Sequence, residues 1–271
     1  MREIEDLQDL LAMAEGTAVQ AGRLVHELCN RPRTISPKGF RDIVTDADIA
    51  AQALIATAVR ARFPTHGFLT EEPDAQLPSS GDVIWVIDPL DGTTNYSRQQ
   101  PVYCVSIAAV DGRQLNTSQP TTLAGAIYDP TRDELFSAAQ GGGAWLNGRP
   151  IQVSQVAQLS EAILGLDWSK NQRLRQSALN LLDRFAHDVY GIRAIGSAAL
   201  AMAWVAAGRL DLYLNYNLKP WDVAAAALLL AEAGGRCSGA DGAPWVWRNS
   251  GIDFVASNGR VHQAFINRLQ A

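Results

Sequence analysis

The chain has 271 residues, and 47% of them are hydrophobic, enough to bury a sizeable core. Its 23 basic and 28 acidic residues leave a formal charge of −5 with no long Lys/Arg run, which argues against nucleic acid or an anionic membrane as a partner. Cys29, Cys104 and Cys237 are far apart and lack CxxC spacing, so they read as free thiols of a protein kept in the reducing cytoplasm.

The start, "MREIEDLQDLL", is acidic and amphipathic, unlike a signal peptide. Ile4, Leu7, Leu11, Ala14, Ala18 and Val25 recur at three-, four- and seven-residue steps, predicting a long first helix that ends near "CNRPR". "TISPKGFRD" reads as a loop, and "TDADIAAQALIATAVRARF" as a second helix capped by Thr45 or Asp46. From Val83 to about Trp168 the rhythm changes to short apolar or alternating runs: "VIWVID", "CVSIAAV", "LAGAIYD", "ELFSAA", "GAWLNG" and "AILGLDW". Such a sequential string of strands predicts an antiparallel or mixed sheet rather than repeated βαβ units. Helical patterning returns at "QRLRQSALNLLDRFA", "SAALAMAWVAAG" and "WDVAAAALLLAEAGG", the last stopped by Gly234 and Gly235. Short strands at "PWVWRN" and "DFVASN" precede a closing helix, "VHQAFINRL". The most apolar stretches, "AALAMAWVAA" and "VAAAALLLA", are too short to span a bilayer. With no linker or repeat, the chain reads as one α+β unit of helices layered on sheets.

Asp42, Asp46, Asp48, Glu71, Glu72, Asp88, Asp91 and Asp222 mostly fall where an apolar element starts or stops, places where distant segments can meet at a cleft. Carboxylates brought together repel unless a cation sits among them, and an all-oxygen ligand set suits Mg²⁺ rather than zinc. In "DPLDGTT" Pro89 stiffens the turn, Gly92 lets backbone approach a ligand, and Thr93 offers a hydroxyl and an N–H. Such a loop can hold metal with its carboxylates and phosphate with its amides, and two divalent ions there can promote hydrolysis of a phosphate ester. Each feature has a plainer reading as well. "DPLDG" is ordinary turn chemistry, Asp48 and Asp222 suit helix starts, and adjacent glutamates are commonly surface. Haloacid-dehalogenase-like phosphatases also place an Asp after an apolar strand. Their second Asp comes two residues later, whereas Asp88 and Asp91 are three apart, which alters side-chain direction on an extended segment.

The sequence resembles the inositol monophosphatase family of Mg²⁺-dependent, lithium-sensitive phosphatases. "WVIDPLDGTTNY" and "KPWDVAAAALLLAEAGG" are similar to its two signatures, "FPTHGFLTEE" to its Glu-Glu segment and "RDIVTDAD" to its Asp-x-Val-Thr-x-x-Asp stretch, all in the family's order. The resemblance implies a layered α/β/α/β/α sandwich of the inositol monophosphatase and sugar phosphatase type. It implies a single catalytic domain over 1–271, with the metal site in a lobe of about 1–150 and a second lobe of about 151–271, commonly assembled as a homodimer. By position, Glu71, Asp88, Asp91, Asp222 and the Leu90 carbonyl would bind two or three Mg²⁺, with Mn²⁺ as a substitute and Li⁺ as an inhibitor. Thr93, backed by Asp48 and together with Glu71, would orient and help deprotonate the attacking water, with no covalent intermediate. Gly92 and Thr93 would hold the phosphate of a small phosphorylated substrate, with Asp91 and Asp222 beside it. Lys38 and Asp42 would sit in a loop over the site.

Substrate choice in this family is set partly by the positions of Gly196, Ser197 and Ala198, and by an acidic residue seven before the second-signature Asp. Here that position is Asn215, a neutral amide, with Tyr213, Tyr216 and Asn217 adding uncharged polar groups. The departure leaves inositol 1-phosphate beside fructose 1,6-bisphosphate, histidinol phosphate and 3′-phosphoadenosine 5′-phosphate as substrates. Arg173, Arg175 and Arg193 are candidates to hold a second phosphate. A reading from another class is a non-catalytic regulator that binds metal or phosphate. His26, His66, His187 and His262 are scattered and read as surface or core residues, and the tryptophans of "PWVWRN" as core or interface.

Overall fold

The computed structural model describes residues 7–40, 42–169 and 171–271, and Ile4 of the first repeat lies outside them. Helix α1 (Leu7–Cys29) buries Leu10, Ala14, Ala18, Ala21 and Val25 along one stripe. The stretch expected as a loop is a hairpin, β1 (Ile35–Gly39) with β2 (Asp42–Thr45). Strand β1 is exposed along its whole length, so no apolar alternation marks it in the sequence. Helix α2 (Asp46–Arg62) starts at Thr45, whose backbone N–H and hydroxyl donate to Asp48 Oδ2 at 2.8 and 2.5 Å. That satisfies a donor the helix start would otherwise leave unpaired.

Next come β3 (Gly67–Thr70), β4 (Val83–Asp91), the short helix α3 (Thr93–Ser97), β5 (Cys104–Asp111), β6 (Thr122–Asp129), β7 (Glu134–Ala139), β8 (Ala144–Leu146) and β9 (Arg149–Pro150). The strands join in that order into a seven-stranded sheet, antiparallel except for the parallel β3–β4 pair. The remainder is β10 (Ile163–Leu166), α4 (Gln172–Phe185), β11 (Gly191–Arg193), α5 (Ala198–Ala206), β12 (Leu212–Leu218), α6 (Pro220–Glu232), β13 (Arg236–Ser238), β14 (Ile252–Ser257) and α7 (His262–Gln270). Here the strand order is β11-β10-β12-β14-β13. The sequence reading did not anticipate β11, β12 or β13. "PWVWRN", expected as a strand, is irregular: Trp245 packs edge-on to Phe254 at 5.4 Å, and the Trp247 N–H bonds the Ser118 carbonyl. Trp247 is buried in the core around α5 and α6 and Trp245 packs against it, the first of the two roles expected of them, core or interface.

Alternation along the strands sorts side chains into layers. Val83, Trp85 and Ile87 of β4 join the core under α1 and α2, whereas Ile84 and Val86 join the core around α5 and α6. On β12, Tyr213 faces that middle core while Leu212 and Leu214 join α4 and α7. The result is five layers, with α5 and α6 between the two sheets. Helix α5 is apolar all round and almost wholly buried, as a helix between two sheets must be. Gly125 on β6 permits the close approach of α6, since a Cβ there would stand 3.1 Å from the Cα of Ala225. The layers bring the end of β4 and the starts of α2, α5 and α6 to one place.

Candidate active site

Strand β4 pairs with β5 up to Asp88 and again at Asp91, with a register shift between them. Pro89 has no N–H to give the ladder, and the N–H of Leu90 turns to Asp88 Oδ1 at 3.0 Å. The irregularity re-aims the strand end. Gly92 follows at φ 98°, where a Cβ would come within 3.0 Å of the Val102 carbonyl and 3.2 Å of the Tyr103 Cα. Both conformation and space require glycine.

Asp222 lies in the first turn of α6, and its Oδ2 accepts the Lys219 N–H at 2.6 Å. It caps the helix and also joins a cluster: Asp88, Asp91 and Asp222 each offer a carboxylate oxygen, all within 4.8 Å of one another. Asp91 Oδ2 accepts the Ser197 hydroxyl and the Ala199 N–H, both at 2.7 Å. Burial, then the charges of Glu71, Asp91 and Asp222, raise Asp88 well above the usual carboxylate range. Burial likewise pushes Asp91 up to about 6, against the opposing bonds from Ser197 and the α5 backbone. The three grouped side chains are all carboxylates, and such crowded anionic oxygens fit a hard divalent cation.

Glu71 follows β3 and extends its pairing, its N–H on the Ile87 carbonyl at 3.1 Å. It is not one of the three carboxylates that lie within 4.8 Å of one another, but its side chain bonds Asp88 of that group. Lys38 of the hairpin bridges Glu71 Oε1 at 3.1 Å and Glu72 Oε1 at 2.6 Å. Burial by itself would lower the Lys38 pKa, but the two glutamates prevail and raise it. Glu72, for which the sequence allowed a surface reading, is buried. Gln52 of α2 holds its backbone on both sides, at 2.8 and 3.2 Å. Thr93 Oγ1 lies 3.3 Å from Asp48 Oδ1 and 3.0 Å from the Leu90 carbonyl. Burial pushes Asp48 up to about 6, the Thr45 bonds opposing and Glu71 and Glu72 adding to it. Capping and Thr93-directed roles therefore coexist on Asp48, one oxygen serving each.

Of the site residues predicted from sequence, all but Asp48 and Ser197 line one cavity of about 330 Å³. Asp48 stands behind Thr93, and Ser197 behind Asp91. Asn215 lines the cavity with both amide ends engaged: Nδ2 donates to the Tyr213 hydroxyl at 3.1 Å, and Oδ1 accepts the Tyr216 N–H at 2.8 Å. Tyr213 is fully buried and donates to Asp167 Oδ2 at 2.9 Å. Asp167 Oδ1 in turn accepts the N–H groups of Ile195 and Gly196, at 2.8 and 2.7 Å. The sequence reading missed Asp167, and also Trp168 and Ser169, which line the cavity. Their signal was present, because "AILGLDW" ends an apolar strand on an Asp just as "VIWVID" does. Arg173, Arg175 and Arg193 do not line the cavity. The Arg175 guanidinium covers the Trp168 ring, 5.5 Å from its centroid, and Arg193 bonds the neighbouring Ile192 carbonyl.

The chain matches the Inositol monophosphatase family over residues 6–271. It is 37% identical over 268 residues to Nus factor SuhB of Escherichia coli, with 97% of each chain covered. It is also 37% identical over 269 residues to Inositol-1-monophosphatase of Synechocystis, covering 98% of this chain and 90% of that one. Among solved structures, extragenic suppressor protein suhB from Bartonella henselae is similar with a TM-score of 0.89 at 31% identity, covering 97% of this chain and 98% of the other.

Proposed function

The chain belongs to the inositol monophosphatase family, and we propose that it is a Mg²⁺-dependent phosphomonoesterase acting on a small polyol or sugar phosphate. The observation that carries this reading is the meeting of Asp88, Asp91 and Asp222 in one cavity, where burial and the neighbouring carboxylates raise Asp88 well above the usual carboxylate range. These three, with Glu71 and the Leu90 carbonyl, would hold two or three Mg²⁺ or Mn²⁺, and Li⁺ would inhibit. Bound there, the ions supply charge for the ester phosphate and make water a better acid.

The protein's own groups do the rest. The N–H groups of Gly92 and Thr93 hold the phosphate, Gly92 taking there a positive-φ turn against Val102 and Tyr103 that a side chain would not fit. Thr93 donates its hydroxyl hydrogen to ionised Asp48 and so turns an oxygen lone pair toward an attacking water. Thr93 and Glu71 together help take the proton that the attacking water loses, and the departing alcohol oxygen gains one from solvent. Attack is in line and forms no bond to the protein. Lys38 and Asp42 bring the hairpin over the cavity, with Lys38 anchored by Glu71 and Glu72. Arg173, Arg175 and Arg193, the candidates to hold a second phosphate, stand outside the cavity, whereas Lys38 and Lys219 line it. A single catalytic domain, a homodimer and a cytoplasmic location complete the reading. Among the described residues no helix is long and apolar enough to cross a membrane.

Phosphate release from inositol 1-phosphate, fructose 1,6-bisphosphate, histidinol phosphate and 3′-phosphoadenosine 5′-phosphate tests it, each with Mg²⁺, with EDTA, and with Asp91→Asn. Release that needs Mg²⁺ and drops to the EDTA background in the variant is the expected result. Folded, Mg²⁺-binding protein that releases phosphate from none of them supports the regulator reading instead.

A further inference from the structure

Trp168 has no part in the chemistry above, yet it stands at the cavity. It follows Asp167 at the end of β10, lines the cavity and keeps 39% of its surface exposed. The other two aromatic rings of the lining have structural duties: Trp221 packs on the middle core and Tyr216 on the outer one. Trp168 joins none of the apolar cores among the described residues. What holds it is Arg175 of α4, whose guanidinium lies 5.5 Å from the ring centroid, a cation–π contact that steadies a ring without burying it. Nearby, Asn215 directs its amide to Tyr213 and to the Tyr216 backbone. The group at the hydroxyl-reading position is thus largely occupied within the protein, and a flat apolar surface stands in the same cavity.

Building on the phosphatase reading, we infer that Trp168 is a stacking wall for the alcohol half of the ester. The chain therefore prefers phosphomonoesters whose alcohol carries a neutral, planar heteroaromatic ring, such as a nucleoside monophosphate, over fully hydroxylated ring polyols. Stacking on an indole rewards a planar π surface and gains nothing from a puckered, hydrated ring. Arg175 sharpens the choice: a cation already on the indole makes that ring a poorer host for a second, so a protonated imidazole is disfavoured against a neutral base.

The test compares adenosine 3′-monophosphate, histidinol phosphate, inositol 1-phosphate and β-glycerophosphate with Mg²⁺, in the parent protein, Trp168→Ala and Trp168→Phe. In the parent, kcat/KM is expected to be highest for the adenosine ester. In Trp168→Ala its advantage over β-glycerophosphate is expected to fall by roughly 10-fold or more, mainly through KM, with Trp168→Phe retaining most of it. Preference for histidinol phosphate would keep the stacking and overturn the neutral-ring choice. Preference for inositol 1-phosphate, or an unchanged ratio in Trp168→Ala, would overturn the proposal. Binding is read separately by tryptophan fluorescence: the adenosine ester should quench saturably, β-glycerophosphate should not, and the quench should be much shallower in Trp168→Phe, where Trp221 of the same lining remains. Absence of turnover with every ester would count against the phosphatase reading alone. Absence of the quench, or a quench of equal depth in Trp168→Phe, would count against the stacking wall.

Discussion

Asp91 shows how one carboxylate is held in a position it would not choose. Ser197 and Ala199 stabilise its charge with two bonds of 2.7 Å, yet burial beside Asp88 and Glu71 still pushes it up to about 6. A folded-state pKa raised above the unfolded value of about 3.9 contributes stability that is present below that value and lost as pH rises through about 6. At neutral pH the ionised group therefore destabilises the metal-free protein. Asp91→Asn is expected to abolish phosphate release while raising metal-free stability at pH 7.5 by about 1 kcal/mol or more, measured by urea denaturation with EDTA. A variant less stable than its parent under those conditions would show that the hydrogen bonds outweigh the repulsion.

Among the elements, two small devices position the site. The first is the carboxylate of Asp167, which ties β10 to the Ile195–Gly196 backbone and to Tyr213 of β12. Through the next residue, Ser197, it steadies the start of α5 on Asp91. Asp167→Ala would leave the buried Tyr213 hydroxyl and two part-buried backbone N–H groups without their acceptor, and a loss of about 2 kcal/mol is expected. Mg²⁺ affinity should fall with it, read by calorimetric titration of the folded variant; unchanged affinity would confine Asp167 to a structural role. The second device is the β1–β2 hairpin, pinned through Lys38 to Glu71 and Glu72. Lys38→Ala should cost less than about 1 kcal/mol of global stability, because such a pair is partly open to solvent. It should nonetheless speed limited proteolysis between residues 35 and 45. Equal cleavage rates would mean that strand pairing alone holds the hairpin.

On the scale of the whole molecule, the cavity draws on three layers at once. Asp88 and Asp91 come from the seven-stranded sheet, Asp222 and Ala198 from the middle helices, and Asn215 from the five-stranded sheet. An ion among the carboxylates would add a bridge between layers that otherwise meet through apolar packing and a few hydrogen bonds such as those of Asp91 to Ser197 and Ala199. Mg²⁺ should raise Tm in proportion to ln(1 + [Mg²⁺]/Kd). The increment should be larger at pH 7.5 than at pH 5, since protonation of the raised carboxylates competes with the ion. A Tm shift independent of pH would place the ion elsewhere.

Local chemistry was legible in the chain itself. Helical spacing marked α1 and α2, short apolar or alternating runs marked β4 to β8, and turn residues located the Asp88–Gly92 corner, because each signal is carried by neighbours in sequence. The hairpin escaped because β1 is exposed along its whole length and β2 is only four residues long, and β12 was passed over although "LYLNYNL" alternates weakly. Tertiary structure alone decided that Glu72 is buried, that Ser197 serves Asp91, that Tyr213 faces the core and that Trp168 faces the cavity. Those facts depend on which layer covers each face, and covering is a relation between segments up to about a hundred residues apart that no local pattern encodes.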